Sequence, residues 1–166
     1  KYTFGFNFSL AWKGFDLSAN FTGAAGFQIA QSYRDPSSSQ ANYSRRILKR
    51  WTGEGTSNEI PRVTYGDVGN WLFSDLYLQD GDYIRLQNLT MGYDFKKLIS
   101  WKGLSKMRLY FQVQNLFTLT KYDGMDPEIG SFNGTDGNSS DSWVSGVDMG
   151  YYPHPRTFIV GLNLAF

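Results

Sequence analysis

A chain of 166 residues is long enough to form one domain with a core, and its 13 Phe, 11 Tyr and 5 Trp beside 18 Gly suit aromatic strands and turns better than helices. Sixteen Lys plus Arg against fifteen Asp plus Glu leave a formal charge of +1, so there is neither a basic footprint for nucleic acid nor an acidic tail. The lack of Cys excludes disulfides, thiolate metal sites and cysteine nucleophiles, one His excludes a histidine pair, and no apolar run reaches the roughly 18 to 20 residues of a membrane-spanning helix.

Strands are legible from a side-chain period of two. Tyr2, Phe4, Phe6, Phe8 and Leu10 alternate with Thr3, Gly5, Asn7 and Ser9. After a turn over residues 11–14, Phe15, Leu17, Ala19 and Phe21 alternate with Asp16, Ser18, Asn20 and Thr22, which makes the first two strands a hairpin. A polar stretch from about residue 28 to 81, with a short helix expected around 42–51, is too long for a hairpin loop. The third strand covers 82–95: Ile84 and Leu86 alternate with Arg85 and Gln87, then the apolar phase moves to Leu89, Met91, Tyr93 and Phe95. A one-residue slip at Asn88 reads as a β-bulge. A short connector leads to the fourth strand, with Leu109, Phe111 and Val113 against Arg108, Tyr110, Gln112 and Gln114. A second polar stretch, about 118–155, precedes a last strand with Phe158, Val160, Leu162, Leu164 and Phe166 on one face.

The connections therefore run tight, long, tight, long. Antiparallel neighbours exchange ends at every connection, so both tight turns fall at one end and both long loops at the other, the layout of a transmembrane β-barrel. Strands of this length match the roughly 9 to 11 residues needed to cross a bilayer at a tilt. Trp12 and Trp101 in the tight turns, with Tyr93 and Phe95 nearby, sit where an interfacial girdle belongs. A soluble β-sandwich, with protein over the apolar face, is the competing reading. Against it stand the strand lengths, the loop asymmetry and the small residues Gly5, Ser9, Gly161 and Ala165 on the opposite faces. Five strands do not close a barrel, since the smallest single-chain examples use 8. Together with the opening Lys1, this suggests a piece of a longer polypeptide.

Three stretches in order, "DGDYIRLQNLTMGYDF", "LYFQVQNLFTLTKYDGMDPE" and "YYPHPRTFIVGLNLAF", resemble the C-terminal end of SusC-like (SusC/RagA family) TonB-dependent transporters of Bacteroidetes outer membranes. The resemblance covers roughly residues 82 to 166, and the first eighty fit by pattern. It implies an all-β fold: the last five antiparallel strands of a 22-stranded transmembrane barrel with two long extracellular loops, residues 1–166 forming the C-terminal part of the barrel domain. It further implies TonB-dependent import of a bulky nutrient, an oligosaccharide or peptide, across the outer membrane of a Gram-negative bacterium. The implied partners are a SusD-like surface lipoprotein, the TonB complex acting through a region this chain lacks, and the lipid bilayer. The terminal Phe166 resembles the recognition signal of barrel-insertion machinery. A passive porin or adhesin barrel and a soluble carbohydrate-binding sandwich are the alternatives.

The remaining motifs have physical jobs of their own. Pro153 and Pro155 cannot donate ladder hydrogen bonds and mark the start of the last strand, while Asn88 and Asn115 suit bonds to bulge or loop backbone. His154, between those prolines, is the one candidate general base, and its setting reads as loop rather than catalysis. The chain is not expected to be an enzyme. Asp136, Asn138, Ser140 and Asp141 are spaced like oxygen ligands of a calcium loop but lack an EF-hand's glycine and distal glutamate, so a solvated loop without cofactor is expected and loop calcium is the minor alternative. Trp51, Trp71, Tyr122, Trp143, Tyr151 and Tyr152 are the loop aromatics that could stack on substrate or a lid partner, or equally anchor their own loops. Arg85, Arg108, Gln112 and Gln114 are expected on the lumen side, against a plug or the substrate path.

Overall fold

The computed structural model describes residues 1–32, 45–63, 72–99, 101–129 and 146–166. The chain forms two compact units, one from residues 1–27, 81–122 and 152–166 and the other from 28–80 and 123–151.

The first unit is a five-stranded antiparallel sheet. Its strands are β1 (Tyr2–Trp12), β2 (Phe15–Ala25), β5 (Tyr83–Asp94), β6 (Lys106–Thr120) and β8 (Thr157–Ala165), in that spatial order. All five strands read from alternation are present. Trp12 pairs with Phe15, so the hairpin loop is only Lys13-Gly14, with φ of 48° and 100°. Positive φ at both central residues is the signature of the turn whose twist matches its strands.

Register puts one residue class on each face. Phe6 lies opposite Phe21, Leu17 opposite Met91, Phe111 opposite Val160, and Leu109 opposite Leu162. Asn20 pairs with Asn88 but Phe21 with Leu86, which leaves Gln87 as the extra residue on β5. That bulge keeps Ile84 and Leu86 on the same face as Leu89 and Met91, and explains the phase slip next to Asn88. β6 answers with Asn115 and Leu116 opposite Gln87, Asn115 taking φ 52°, a conformation Asn tolerates better than most residues. The Asn115 side-chain amide donates to the Pro155 carbonyl at 3.1 Å.

The apolar face is exposed: Phe6 is 59% and Val160 71% accessible. Its rings contact each other along the surface, with Phe111 stacked on Phe158 at 6.2 Å between centroids and Phe6 against Phe21 at 6.3 Å. At the tight-turn end, Phe15, Tyr93 and Phe95 form a chain of rings 4.4 and 5.0 Å apart, and Trp101 meets Phe166 edge-on at 6.4 Å.

The second unit adds, within the two long polar stretches, short strands that alternation does not reveal. It contains a three-stranded sheet ordered β4-β3-β7, built from β3 (Gln28–Gln31), β4 (Leu78–Asp80) and β7 (Val147–Asp148). β3 and β7 pair in parallel although they come from the two different connections. Ile29 is fully buried there, and Asp148 accepts backbone N–H bonds from Gly150 at 2.8 Å and Tyr151 at 3.2 Å. Within the expected helix at 42–51, the described part is a 3-10 turn over Arg45–Lys49.

Candidate functional site

The polar face of the five-stranded sheet gathers most of its charge at two places. Near the tight turns, Arg108 on β6 lies across Gly92 on β5 to reach Asp16 on β2. Its Nε donates to Asp16 Oδ1 at 2.8 Å, and its Nη2 donates to the other carboxylate oxygen. A Cβ on residue 92 would come within 2.6 Å of the guanidinium, so glycine on the middle strand is what opens the path. The same guanidinium sits 5.1 Å from the Tyr110 ring, and that ring covers Gly161 on β8, where an added Cβ would collide with it. Asp16, Arg108 and Tyr110 thus form a polar band that crosses from β2 to β8.

Near the long connections, Arg85 is buried, with 2% of its surface exposed. Its Nε donates to Thr118 Oγ1 at 2.9 Å, and its Nη1 to His154 Nδ1 at 3.2 Å. A guanidinium has no acceptor, so His154 must accept at Nδ1 and carry its proton on Nε2. The Arg85 guanidinium also lies 5.8 Å from the Tyr83 ring. This joins the start of β8 to the β5–β6 pair. Thr22, opposite Arg85 in register, has a buried hydroxyl oxygen without a hydrogen-bond partner among the described residues.

Gln112 and Gln114 share this polar face between the two clusters, in register with Thr90 and Asn88. The arrangement holds polar side chains along one face of the sheet, and the sole His accepts from Arg85 there.

The loop aromatics separate. Trp51 lies in a surface hollow of the second unit with Asn58, Glu59, Pro61 and Arg62, its backbone N–H bonded to the Ile60 carbonyl at 2.8 Å. Tyr152 is 88% exposed and Tyr151 half-buried. Tyr122, just beyond the end of β6, is only 6% exposed, which fits the anchoring alternative better than an open stacking ring; its N–H donates to Thr120 Oγ1 at 3.1 Å. Trp71, Trp143 and the candidate calcium loop of Asp136, Asn138, Ser140 and Asp141 lie outside the described residues.

Sequence reasoning missed Asp16, Tyr110 and the partnership of Arg85 with His154. Each depends on cross-strand register. The available signal was small residues, Gly92 and Gly161, on strands flanking a long polar or aromatic side chain.

No protein-family model matches the chain. A TonB-dependent receptor P3 of Formosa agariphila is 36% identical over 167 residues, covering 99% of this chain and 16% of that protein. The TonB-dependent receptor SusC of Bacteroides thetaiotaomicron is 30% identical over 98% of this chain and 15% of its own length. Over nearly its whole length the chain is thus similar to a portion of SusC-like TonB-dependent receptors. It is also similar in fold to the solved RagAB peptide transporter, with a TM-score of 0.73 and 25% identity over 98% of this chain and 17% of that one. Like these relatives, of which it spans about a sixth, this SusC-like chain is a match to receptors and transporters rather than enzymes.

Proposed function

We propose that this chain is the C-terminal part of a TonB-dependent barrel domain: the last five strands of a 22-stranded outer-membrane barrel. In this reading its two long connections are extracellular and its tight turns periplasmic. The observation that carries it is the two-faced sheet, with exposed Phe, Leu and Val side chains along one side and a hydrogen-bonded polar band along the other. Hydrocarbon suits the first face and a hydrated lumen the second. The similarity to SusC-like receptors over nearly the whole chain supports the same reading.

The intact protein would import a bulky nutrient, an oligosaccharide or a peptide. Substrate would be captured between the extracellular loops and a SusD-like surface lipoprotein, then admitted when TonB displaces a plug from the lumen. This chain would supply wall and loops and no bond-making chemistry. Trp51, Tyr151 and Tyr152 are the described aromatics proposed to meet substrate or lid, and Trp71 and Trp143 are proposed on sequence alone. Arg85, Arg108, Gln112 and Gln114 face the lumen, where they hold the wall together and meet plug or substrate path.

The test is the intact mass of the native polypeptide, isolated from outer membranes in detergent, and the identity of what co-purifies. A chain about six times this length, as the 16% coverage implies, accompanied by a surface lipoprotein, is expected. A water-soluble monomer of 166 residues would overturn the reading in favour of a β-sandwich, and a long barrel lacking a plug would favour a passive porin.

A further inference from the structure

The tight-turn end of the sheet carries a feature that a plain barrel wall does not require. Twice, a lysine ammonium is held beside a tryptophan at the edge of the apolar face. Lys13 Nζ lies 4.9 Å from the Trp12 ring centroid. Lys96 Nζ donates to the Trp101 carbonyl at 2.7 Å, and the Trp101 ring packs on Phe166. Lys102 follows in the same connector and is exposed. Between the two pairs runs the chain of rings Phe15, Tyr93 and Phe95.

Charge is concentrated here. Residues 13–16 and 94–108 hold six Lys or Arg and two Asp, a net +4 in a chain whose total is +1, so the remainder is net negative. Both acids are engaged elsewhere: Asp16 holds Arg108 on the polar face, and Asp94 Oδ1 accepts the backbone N–H groups of Lys96 at 3.0 Å and Met107 at 3.4 Å. The rim of the apolar face is therefore aromatic and cationic together. Five strands spaced about 4.8 Å apart make it roughly 19 Å wide.

We propose that this rim binds the headgroup of an anionic glycerophospholipid. Lys13, Lys96 and Lys102 meet the phosphate, and Trp12, Tyr93 and Trp101 lie at the level of the glycerol and the first acyl carbons. An indole or phenol at that depth keeps its apolar body in hydrocarbon and its polar edge in the headgroups, and a lysine beside it finds phosphate instead of bulk water. The inference rests on the outer-membrane reading above and adds a lipid class and a leaflet: the tight-turn side, away from the long loops.

Native mass spectrometry of the complete receptor, released from detergent with phosphatidylglycerol or with phosphatidylcholine of the same acyl chains, tests it. The receptor is expected to retain phosphatidylglycerol preferentially. The triple variant Lys13→Gln, Lys96→Gln, Lys102→Gln should lose the preference, Lys13→Gln alone should weaken it about fivefold, and Lys121→Gln, at the other end of β6, should leave it intact. Glutamine keeps a donor for the Trp101 carbonyl, which separates loss of charge from loss of the local bond. Equal retention of both lipids by the unaltered receptor, an unchanged preference in the triple variant, or stronger retention of lipid A overturns the proposal. A receptor that enters bilayers with no headgroup preference overturns this inference alone, and one that enters no bilayer overturns the outer-membrane reading with it.

Discussion

On the apolar face of the sheet, Phe111 stacks on Phe158 and Phe6 leans on Phe21, contacts that leave Phe6, Phe111 and Phe158 exposed and Phe21 half-buried. On the polar face, Arg108 reaches across a whole strand to Asp16, and Arg85 is buried against Thr118 and His154. The same backbone ladder carries both. One side is non-directional and tolerates any apolar group of about the right size. The other depends on specific donors, acceptors and the absence of a Cβ where a side chain crosses. The two faces should therefore fail differently: the apolar one when charge is introduced, the polar one when space or a partner is removed.

The largest difference should appear when arginine is placed on each face. In a bilayer unfolding titration of the complete receptor, Val160→Arg or Phe111→Arg should cost about 2 to 4 kcal/mol near the midplane, while Gln112→Arg, one residue from Phe111 but on the polar face, should cost far less. Equal costs would mean that lipid does not cover the first face.

Adding volume attacks the polar face instead. Gly161→Ala puts a methyl where the Tyr110 ring lies, and Tyr110 must swing away from both Gly161 and the Arg108 guanidinium. A cost of about 1 to 3 kcal/mol is expected for such overpacking, measured by the same titration. A cost near zero would show that Tyr110 has other places to go and that the band from β2 to β8 is not a unit.

How much of this was legible in the sequence follows from the length of each pattern. Strands of 9 to 15 residues repeat their period often enough to fix both existence and face, and even the bulge at Gln87 announced itself as a phase slip beside Asn88. β3, β4 and β7, of four, three and two residues, hold too few repeats to be seen, and β3 and β7 belong to different connections. Tyr122 lies two residues beyond the end of β6 at Thr120 and is nevertheless 6% exposed, a burial set by tertiary packing that the polar sequence beginning near Thr118 does not announce. The Asp16 to Arg108 bridge was hidden for a third reason: its two residues are 92 positions apart and lie on strands that are not neighbours, so neither pattern nor spacing joins them.

The tight turn gives a smaller effect that is independent of either face. Gly14 sits at φ 100°, a conformation side chains rarely adopt, so Gly14→Ala should cost about 1 kcal/mol. Lys13→Gly should be nearly neutral, since φ 48° is a conformation glycine adopts without strain.

The smallest expected effect belongs to the ion pair itself. Asp16 and Arg108 side chains retain 39% and 19% of their exposure, so water and salt screen their attraction, and Asp16→Asn should cost only about 0.2 to 1 kcal/mol. The asparagine keeps one acceptor for the Arg108 Nε, which isolates the charge from the bond. Raising the salt concentration should shrink the difference between the two proteins, because screening weakens the pair in the unaltered receptor and has nothing to act on in the variant. If the difference is large and indifferent to salt, the pair is sealed from water in the intact protein by something this sheet does not itself supply, and a plug seated on the polar face near the tight turns is the element in the proposed architecture that would seal it.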